Sequence, residues 1–328
     1  MRLFHPVSTL IAAIGLAASM TCSPVHVHAA ETVTILGGTP GGLWAIMTEG
    51  LGECMRRSMP GVNVTTEPGK DGPNQVLVGS NKVPFGVAHE ALGVAAVKGE
   101  PPFKKAFSDL RSVTVLNPTM AMQFIVDAKT GLKSIADIKE KKYPLRIAVN
   151  RQGTMMDLST IAVFKAYGFS YDDIVKWGGK VYKIPGPEAI ELWDAGQMDA
   201  IVEMSQFPAS RFFEHSTKHD LRIFSVDKDK IDAINKELGT SSIVIPANTY
   251  PFQKEDVLTP NTKLVLLTNA QTPGSLVKDL LRSMVENIEY LHNVHANLRN
   301  LSPKTMSDDL KVTPHPAAAE FYKEILSK

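Results

Sequence analysis

The amino-acid sequence predicts an α/β protein of two lobes that face each other across a cleft. Its 328 residues are enough for two domains, and its 44% hydrophobic and 21% charged residues are typical of a globular chain. One order of strands and helices, βαβαβ, occurs twice with short connections. Such connections imply parallel strands with right-handed crossovers, and ligands bind outside the carboxyl ends of these strands. Two such units would form a cleft, whereas a single doubly wound sheet would not.

The N-terminus has the features of an export signal. Residues 1–29 carry one charged side chain, Arg2, and the apolar run Leu10–Ala18 is shorter than the roughly 20 residues that span a membrane. Val27-His28-Ala29 places small residues at the two positions that a signal peptidase reads. We therefore expect a signal peptide that is cleaved after Ala29, and secretion, in a bacterium to the periplasm.

Charge and cysteine content exclude several classes of protein. Lys and Arg total 35 against 34 Asp and Glu, a formal net charge of +1, so the basic excess of a nucleic-acid-binding protein is missing. Cys22 and Cys54 are too few for a disulfide framework or a four-cysteine zinc site. Cys54 shares the apolar side of a predicted helix with Ile46, Met47 and Leu51, so we expect a core residue rather than a reactive thiol.

Apolar runs and glycine-rich turns define the two βαβαβ units. The first unit has predicted strands at 33–36, 62–66 and 84–88 and helices at 43–59 and 74–79. The second unit has predicted strands at 145–149, 180–184 and 199–203 and helices at 154–167 and 188–194.

The remaining apolar runs predict how the lobes are connected. Leu110–Leu116 and Met120–Ala128 predict two strands, the second crossing between the lobes, and Leu264–Leu267 predicts a return strand. Apolar residues at near-helical spacing predict one long helix over residues 275–298. The resulting division gives one lobe of residues 30–125 plus 262–328 and a second lobe of residues 126–261.

The common sequence motifs of enzymes and cofactor sites are absent. Gly37–Gly42 has neither the G-x-G-x-x-G pattern of a dinucleotide site nor the Lys-Ser/Thr ending of a P-loop. No G-x-S-x-G or H-E-x-x-H motif occurs, and the histidines, including His215 and His219, show no recognisable metal-ligand spacing. We therefore predict no catalysis, no cofactor and no metal site.

Two glycine-rich turns predict an anion-binding site. The turns are formed by Thr39, Pro40, Gly41 and Gly42 in the first unit and by Gln152, Gly153 and Thr154 in the second. Each turn joins a strand to a helix, at matching positions of the two units. Unpaired N–H groups and the helix dipole attract a carboxylate or a phosphate to such a turn.

Charged residues near the strand ends allow two interpretations each. Arg151 could bind a ligand carboxylate through two hydrogen bonds or could form a surface ion pair. Glu90 and Glu203 follow the third strands of the two units and could accept a ligand ammonium group or bond to loop backbone. Lys70, in the second loop of the first unit, is expected to be exposed to solvent.

Six short segments in a fixed order resemble the TAXI family of TRAP transporter solute receptors. They cover the whole chain after the signal peptide and comprise Gly37–Trp44, Asp71–Asn74, Gln152–Thr154, Glu188–Ala200, Ile245–Pro251 and Pro314–Ala318. The sequence departs from that family's pattern at Leu43-Trp44, where paired tyrosines are usual, at Asn150–Gln152 and at Glu90. These departures lie in the predicted ligand loops, so they leave the ligand open.

The resemblance implies a two-lobed periplasmic-binding-protein fold of the second type that closes around a small organic anion. The implied ligands are glutamate, 2-oxoglutarate and related dicarboxylates, and the implied partners are the TRAP membrane permease subunits. The receptor is expected to act as a monomer. The matching loops add Gly72, Asn74, Trp44 and Tyr250 to the candidate site. The two aromatic side chains could cover the apolar part of the ligand or could pack within the protein. Two alternatives remain, a periplasmic sensor for a signalling receptor and an enzyme on the same fold.

Overall fold

The first βαβαβ unit forms a parallel edge of the sheet. The structure, a computed structural model, describes Met1 and residues 32–327, so the predicted signal peptide lies, Met1 apart, outside the described residues. The unit comprises β1 (Thr32–Leu36), α1 (Leu43–Ser58), β2 (Asn63–Glu67), α2 (Pro73–Gly79) and β3 (Phe85–His89), and α3 (Glu90–Lys98) follows it. Strand β1 pairs in parallel with both β2 and β3, as the short connections predict.

The second unit repeats this arrangement. Strand β4 (Leu110–Asp127) leads to it, and its elements are α4 (Ile135–Glu140), β5 (Arg146–Ala148), α5 (Met155–Ala166), α6 (Tyr171–Lys176), β6 (Lys180–Tyr182), α7 (Gly186–Asp194) and β7 (Ala200–Ser205). Strand β5 lies between β6 and β7 and is parallel to both. The predicted repeat of the βαβαβ order is therefore confirmed.

The chain then returns to the first unit. It forms α8 (Ser210–Ser216), β8 (Leu221–Phe224), α9 (Lys228–Leu238), β9 (Ser241–Ile245) and the long strand β10 (Val257–Asn269). The C-terminal region forms α10 (Gly274–Glu286), α11 (Ile288–Val294), α12 (Pro303–Met306) and α13 (Pro316–Leu326). The single helix predicted over residues 275–298 is therefore wrong, because Asn287 leaves helical geometry, with φ −111° and ψ 28°, and separates α10 from α11.

Two long strands connect the units into one curled mixed sheet. Its order is β2-β1-β3-β10-β4-β7-β5-β6, with β8 beside β4 and β9 beside β10. The 18 residues of β4 span about 60 Å and pair first with β10 and then with β7 and β8. The predicted crossing and return strands thus lie within β4 and β10, and the predicted lobe boundaries, at residues 125–126 and 261–262, fall inside these same strands.

Helix α1 illustrates how the helices are fixed to the sheet. Met47, Leu51, Cys54 and Met55 recur at helical spacing and are fully buried against β1 and β3. Ile46, predicted on the same side, is instead 38% exposed, because it lies next to Met47 and so points about 100° away from it around the helix. Burial raises the pKa of the Cys54 thiol to about 12, so this cysteine is a core residue, as predicted. Among the described residues, no helix is both long enough and apolar enough to span a membrane.

Candidate functional site

A cleft of about 120 Å³ lies where the strand-end loops of the two units meet. The first unit contributes Gly38 and Thr39 after β1 and Gly69–Asp71 after β2. The second unit contributes Asn150 after β5 and Pro185–Pro187 after β6. The cleft therefore lies at the carboxyl ends of parallel strands from both units, the position at which α/β sheets bind ligands.

Three helices begin at this cleft. The first residues of α1 and α7 line it, and so does Thr154, the residue before α5. The N-cap residues of the three helices, Gly42, Thr154 and Pro185, make no side-chain capping hydrogen bond within the described chain. Each helix thus presents backbone N–H groups without intrahelical partners, together with the positive end of its dipole. Three such termini around one small cleft can attract an anion.

A charged pair forms one wall of the cleft. Arg211, on α8, donates from Nη1 to Oε1 of Glu203, on β7, at 2.6 Å. A side chain on Gly186 would place its Cβ 2.3 Å and 2.4 Å from these two atoms, so any larger residue at the start of α7 would require the ends of both side chains to shift. A guanidinium carries five N–H donors and this bond uses one, so Arg211 retains donors for a ligand.

Asp71 connects the floor of the cleft to both units. Its Oδ1 accepts hydrogen bonds from the His89 amide at 3.1 Å and from Nε2 of Gln75 at 3.2 Å. Its Oδ2 contacts Nδ1 of His89 at 2.5 Å and accepts from the Met155 amide of α5 at 3.4 Å. Asp71 and His89 are both at least 98% buried, so the pair is a fixed feature beneath the site rather than a surface ion pair.

The structure brings most of the predicted loop residues to the cleft or beside it. Five line the cleft itself, namely Thr39, Gly42, Trp44, Thr154 and Glu203. Three others line an adjoining apolar groove, namely Gly72, Gln152 and Gly153. Pro40 and Gly41 form the exposed tip of the first turn, where Gly41 adopts a φ of +74° that suits glycine.

The remaining four predicted site residues line neither the cleft nor the adjoining groove. Asn74 is buried and donates to the carbonyls of Gly37 and Val87, which fixes the loops after β1 and β3. Arg151 is half-buried and does not line the cleft, and its carbonyl accepts hydrogen bonds from Thr154.

Glu90 and Tyr250 also lie within the protein. Burial raises the pKa of the Glu90 carboxyl, which accepts a hydrogen bond from the Lys311 amide at 2.6 Å. The Tyr250 hydroxyl donates to Gln123 and accepts from the Ala209 amide, and burial raises its pKa. Both side chains therefore serve internal hydrogen bonds in this structure.

Sequence reasoning missed several residues of the cleft. Lys70, expected to be exposed, is half-buried and lines the cleft. The Pro185–Pro187 turn occupies in the second unit the place that Asp71–Pro73 occupies in the first, so comparison of the two units could have identified it. Arg211 carried no local signal, since only the fold brings α8 to the end of β7.

Comparisons with known proteins agree with this architecture. No curated protein sequence matches the chain significantly. MatC from Rhodopseudomonas palustris with bound malate has a TM-score of 0.54 at 15% identity, over 90% of this chain and 96% of that chain. PhnD1 from Prochlorococcus marinus in complex with methylphosphonate has a TM-score of 0.51 at 13% identity, over 90% of this chain and 96% of that chain.

The periplasmic binding protein BugD has a TM-score of 0.54 at 12% identity, over 90% of this chain and 94% of that chain. At these identities the likeness concerns the fold, which is that of the two-lobed periplasmic solute-binding proteins. The model of the NMT1-like family matches residues 35–325, nearly all of the described chain. The chain therefore belongs to the NMT1-like family.

Proposed function

We propose that this protein is an extracytoplasmic solute receptor that binds a small organic anion and delivers it to a membrane transporter. The observation that carries the proposal is the convergence on one cleft of three helix N-termini whose N-cap residues make no side-chain capping hydrogen bond. Lys70 adds a positive charge to the same cleft, where Arg211 is paired with Glu203 and the Asp71 carboxylate is bonded to His89. Because both carboxylates at the cleft have partners, the helix dipoles and Lys70 favour an anionic ligand.

The proposed ligand is a small dicarboxylate such as glutamate or 2-oxoglutarate. One carboxylate would lie at the start of α1 near Lys70, and the other at the start of α7 near Arg211. A cleft of about 120 Å³ is well below the roughly 300–1,000 Å³ of pockets for drug-sized ligands, so it suits a compact acid. The malate of MatC and the methylphosphonate of PhnD1 are small anions held by the same fold.

The proposed mechanism is reversible closure of the two lobes, with no covalent chemistry. Bending of β4 and β10, the two strands that join the units, would open and close the cleft. The resemblance to TAXI receptors supports delivery to TRAP permease subunits by a monomeric receptor in the periplasm. Thr39, Gly42, Trp44 and Thr154 would contact the ligand together with Arg211.

The experiment is a ligand screen on freshly purified protein. Native mass spectrometry identifies an anion that purifies with the chain, and calorimetric titration then compares dicarboxylates, sulfonates, phosphonates and amino acids. A dicarboxylate at about 100 times its dissociation constant should stabilise the fold by roughly 2.7 kcal/mol. Selective binding of a sulfonate or phosphonate would replace the dicarboxylate proposal, and a flat response to every class would contradict an anion receptor. Turnover of a bound compound would instead indicate an enzyme.

A further inference from the structure

A second polar cluster lies away from the cleft, behind the wall that carries Arg211. Asp194 ends α7, His215 lies in the last turn of α8, and His219 follows it by four residues. The His219 amide donates to the His215 carbonyl at 3.1 Å, so the helical turn continues and both imidazoles lie on one side of it. We call Asp194, His215 and His219 the histidine cluster.

The histidine cluster converges on a single carboxylate oxygen. Oδ1 of Asp194 lies 3.1 Å from Nδ1 of His215 and 3.2 Å from Nε2 of His219. The three candidate ligand atoms all lie within 4.8 Å of one another. A tetrahedral ion with bonds of about 2.0–2.1 Å holds its ligand atoms roughly 3.3 Å apart. Two of the three separations already fit this geometry, and the third, between the two imidazoles, lies within 4.8 Å.

The surroundings of the histidine cluster resemble the outer shell of a metal site. Oδ2 of Asp127 lies 3.7 Å from Nδ1 of His219, on the side of the ring opposite the proposed ligand atom, and Nε1 of Trp193 donates to the same oxygen at 3.4 Å. A carboxylate that accepts a hydrogen bond from this nitrogen orients a metal-binding histidine, and Oδ2 of Asp127, which also pairs with Nζ of Lys129 at 2.8 Å, lies about 0.5 Å beyond that distance. Lys218 contacts the other oxygen of Asp194, Oδ2, at 3.2 Å and leaves Oδ1 available.

His215 supplies an independent observation. Its side chain is 1% exposed, and within the described chain its Nε2 has no hydrogen-bond partner while Nδ1 meets only Asp194. The buried ring is therefore oriented with Nδ1 directed at Oδ1 of Asp194, the arrangement in which both atoms can bind one ion.

We propose that the histidine cluster binds one divalent transition metal ion of the class that prefers imidazole, such as Zn²⁺, Ni²⁺ or Cu²⁺. The ligands are Oδ1 of Asp194, Nδ1 of His215 and Nε2 of His219, with water completing the coordination. The ion would join the C-terminal ends of α7 and α8. The opposite end of α7 carries Gly186, and α8 carries Arg211, so the ion would fix the wall of the cleft from behind.

The test uses protein expressed from the complete sequence without a histidine tag, and Zn²⁺ as the probe. Competition with a chromophoric chelator should give one site per chain in the parent, and Zn²⁺ should raise its melting temperature. His219→Gln and Asp194→Asn should weaken Zn²⁺ binding by more than the roughly 10–100-fold that loss of an outer-shell partner costs. His292→Gln, a histidine outside the cluster, is the matched control and should bind like the parent.

Three results would overturn the proposal. One is the absence of a saturable site for Zn²⁺ in the parent, and another is equal Zn²⁺ affinity in the parent and in both cluster variants. The third is a loss of affinity in His292→Gln as large as that in His219→Gln. His219 and Asp194 are 19% and 35% exposed, so their conservative variants should fold, and a Cu²⁺ electron paramagnetic resonance spectrum counts the nitrogen ligands in each variant independently of stability.

Discussion

The carboxylate of Asp71 accepts a hydrogen bond from the Met155 amide, at 3.4 Å, and thereby connects the loop after β2 to the start of α5 across the cleft. The same oxygen contacts Nδ1 of His89, which belongs to the first unit. One buried carboxylate thus bridges the two units directly beneath the proposed ligand. Because Asp71 accepts the hydrogen bond from the Met155 amide, a ligand in the cleft would bind to the other N–H groups at the start of α5.

Asp71→Asn should destabilise the protein and favour an open cleft. The substitution removes the charge that strengthens the bonds from His89 and Met155, and a hydrogen bond to a charged group contributes about 1.5–3 kcal/mol. We expect the free energy of unfolding in urea to fall by this amount and the radius of gyration of the ligand-free protein to increase. Thr272→Val, at a buried hydroxyl without a partner in the described chain, is the control and should leave both unchanged. An unchanged radius of gyration would show that Asp71 does not hold the cleft closed.

Arg211→Ala should weaken anion binding by roughly 10- to 150-fold, the equivalent of about 1.5–3 kcal/mol for a charge-assisted hydrogen bond. Arg151→Ala is the matched comparison, since the sequence predicts Arg151 as a carboxylate ligand and the structure places Arg211 at the cleft. Calorimetric titration of both variants identifies the arginine that binds the ligand. A large loss in Arg151→Ala alone would contradict the role of Arg211 and restore the sequence prediction.

Gly186→Ala should reduce ligand affinity by about tenfold or more, although alanine normally favours a helix over glycine by about 1 kcal/mol. The new Cβ would displace Oε1 of Glu203 and Nη1 of Arg211, which lie 2.3 Å and 2.4 Å from its position. In a background that carries Glu203→Ala and Arg211→Ala, the same substitution should have little effect. An equal loss of ligand affinity in the parent and in the double variant would indicate that Gly186 acts through its own backbone and not through the Glu203–Arg211 pair.

Glu90→Gln should stabilise the protein at pH 8 and make little difference at pH 4. Burial raises the pKa of Glu90 in the folded protein above its value in the unfolded chain, so the parent loses stability as pH rises through the folded value. Glutamine keeps an oxygen for the Lys311 amide and removes this dependence. Melting temperatures between pH 4 and 8 measure the difference, with Glu100→Gln, at an exposed residue, as the control. A constant difference between Glu90→Gln and the parent at all pH values would exclude titration of Glu90.

Expression of the complete sequence in a bacterium should yield a periplasmic protein that begins at Ala30. The small residues at Val27 and Ala29 are the basis of this expectation. Intact-mass measurement of the periplasmic fraction determines the first residue. A mass that includes residues 1–29, or an added lipid, would contradict it.

Local patterns predicted the elements better than they predicted the connections between them. The two βαβαβ units follow from apolar runs between glycine turns, which are local features. The sequence predicts two strands where the structure has β4, and the gap between them contains Asn117-Pro118, a pair typical of turns. Pairing with β10 continues through this point with shifts of register between Thr262 and Val265, so a long-range partner overrides the local signal.

In the candidate site, too, local sequence patterns predict some residues and long-range packing determines the others. Turn residues such as Thr39 and Gly42 could be identified because a glycine-rich strand-to-helix connection has a fixed geometry. Arg211 and the histidine cluster could not, because each depends on how α8 packs beside α7. For Tyr250 the family resemblance predicts a place in the site, but its side chain is buried and its hydroxyl bonds to Gln123 and to the Ala209 amide.

The two long strands also determine how the protein unfolds. Strand β10 pairs with β3 of the first unit and with β9, and β4 pairs with β10 and with β7 of the second unit. One apolar core also contains side chains from both units, such as Val78 and Ile147. If either unit unfolds, the other therefore loses strand pairing and apolar contacts. The protein should therefore melt as one cooperative unit with a single calorimetric transition, and a ligand bound in the cleft should stabilise the entire chain.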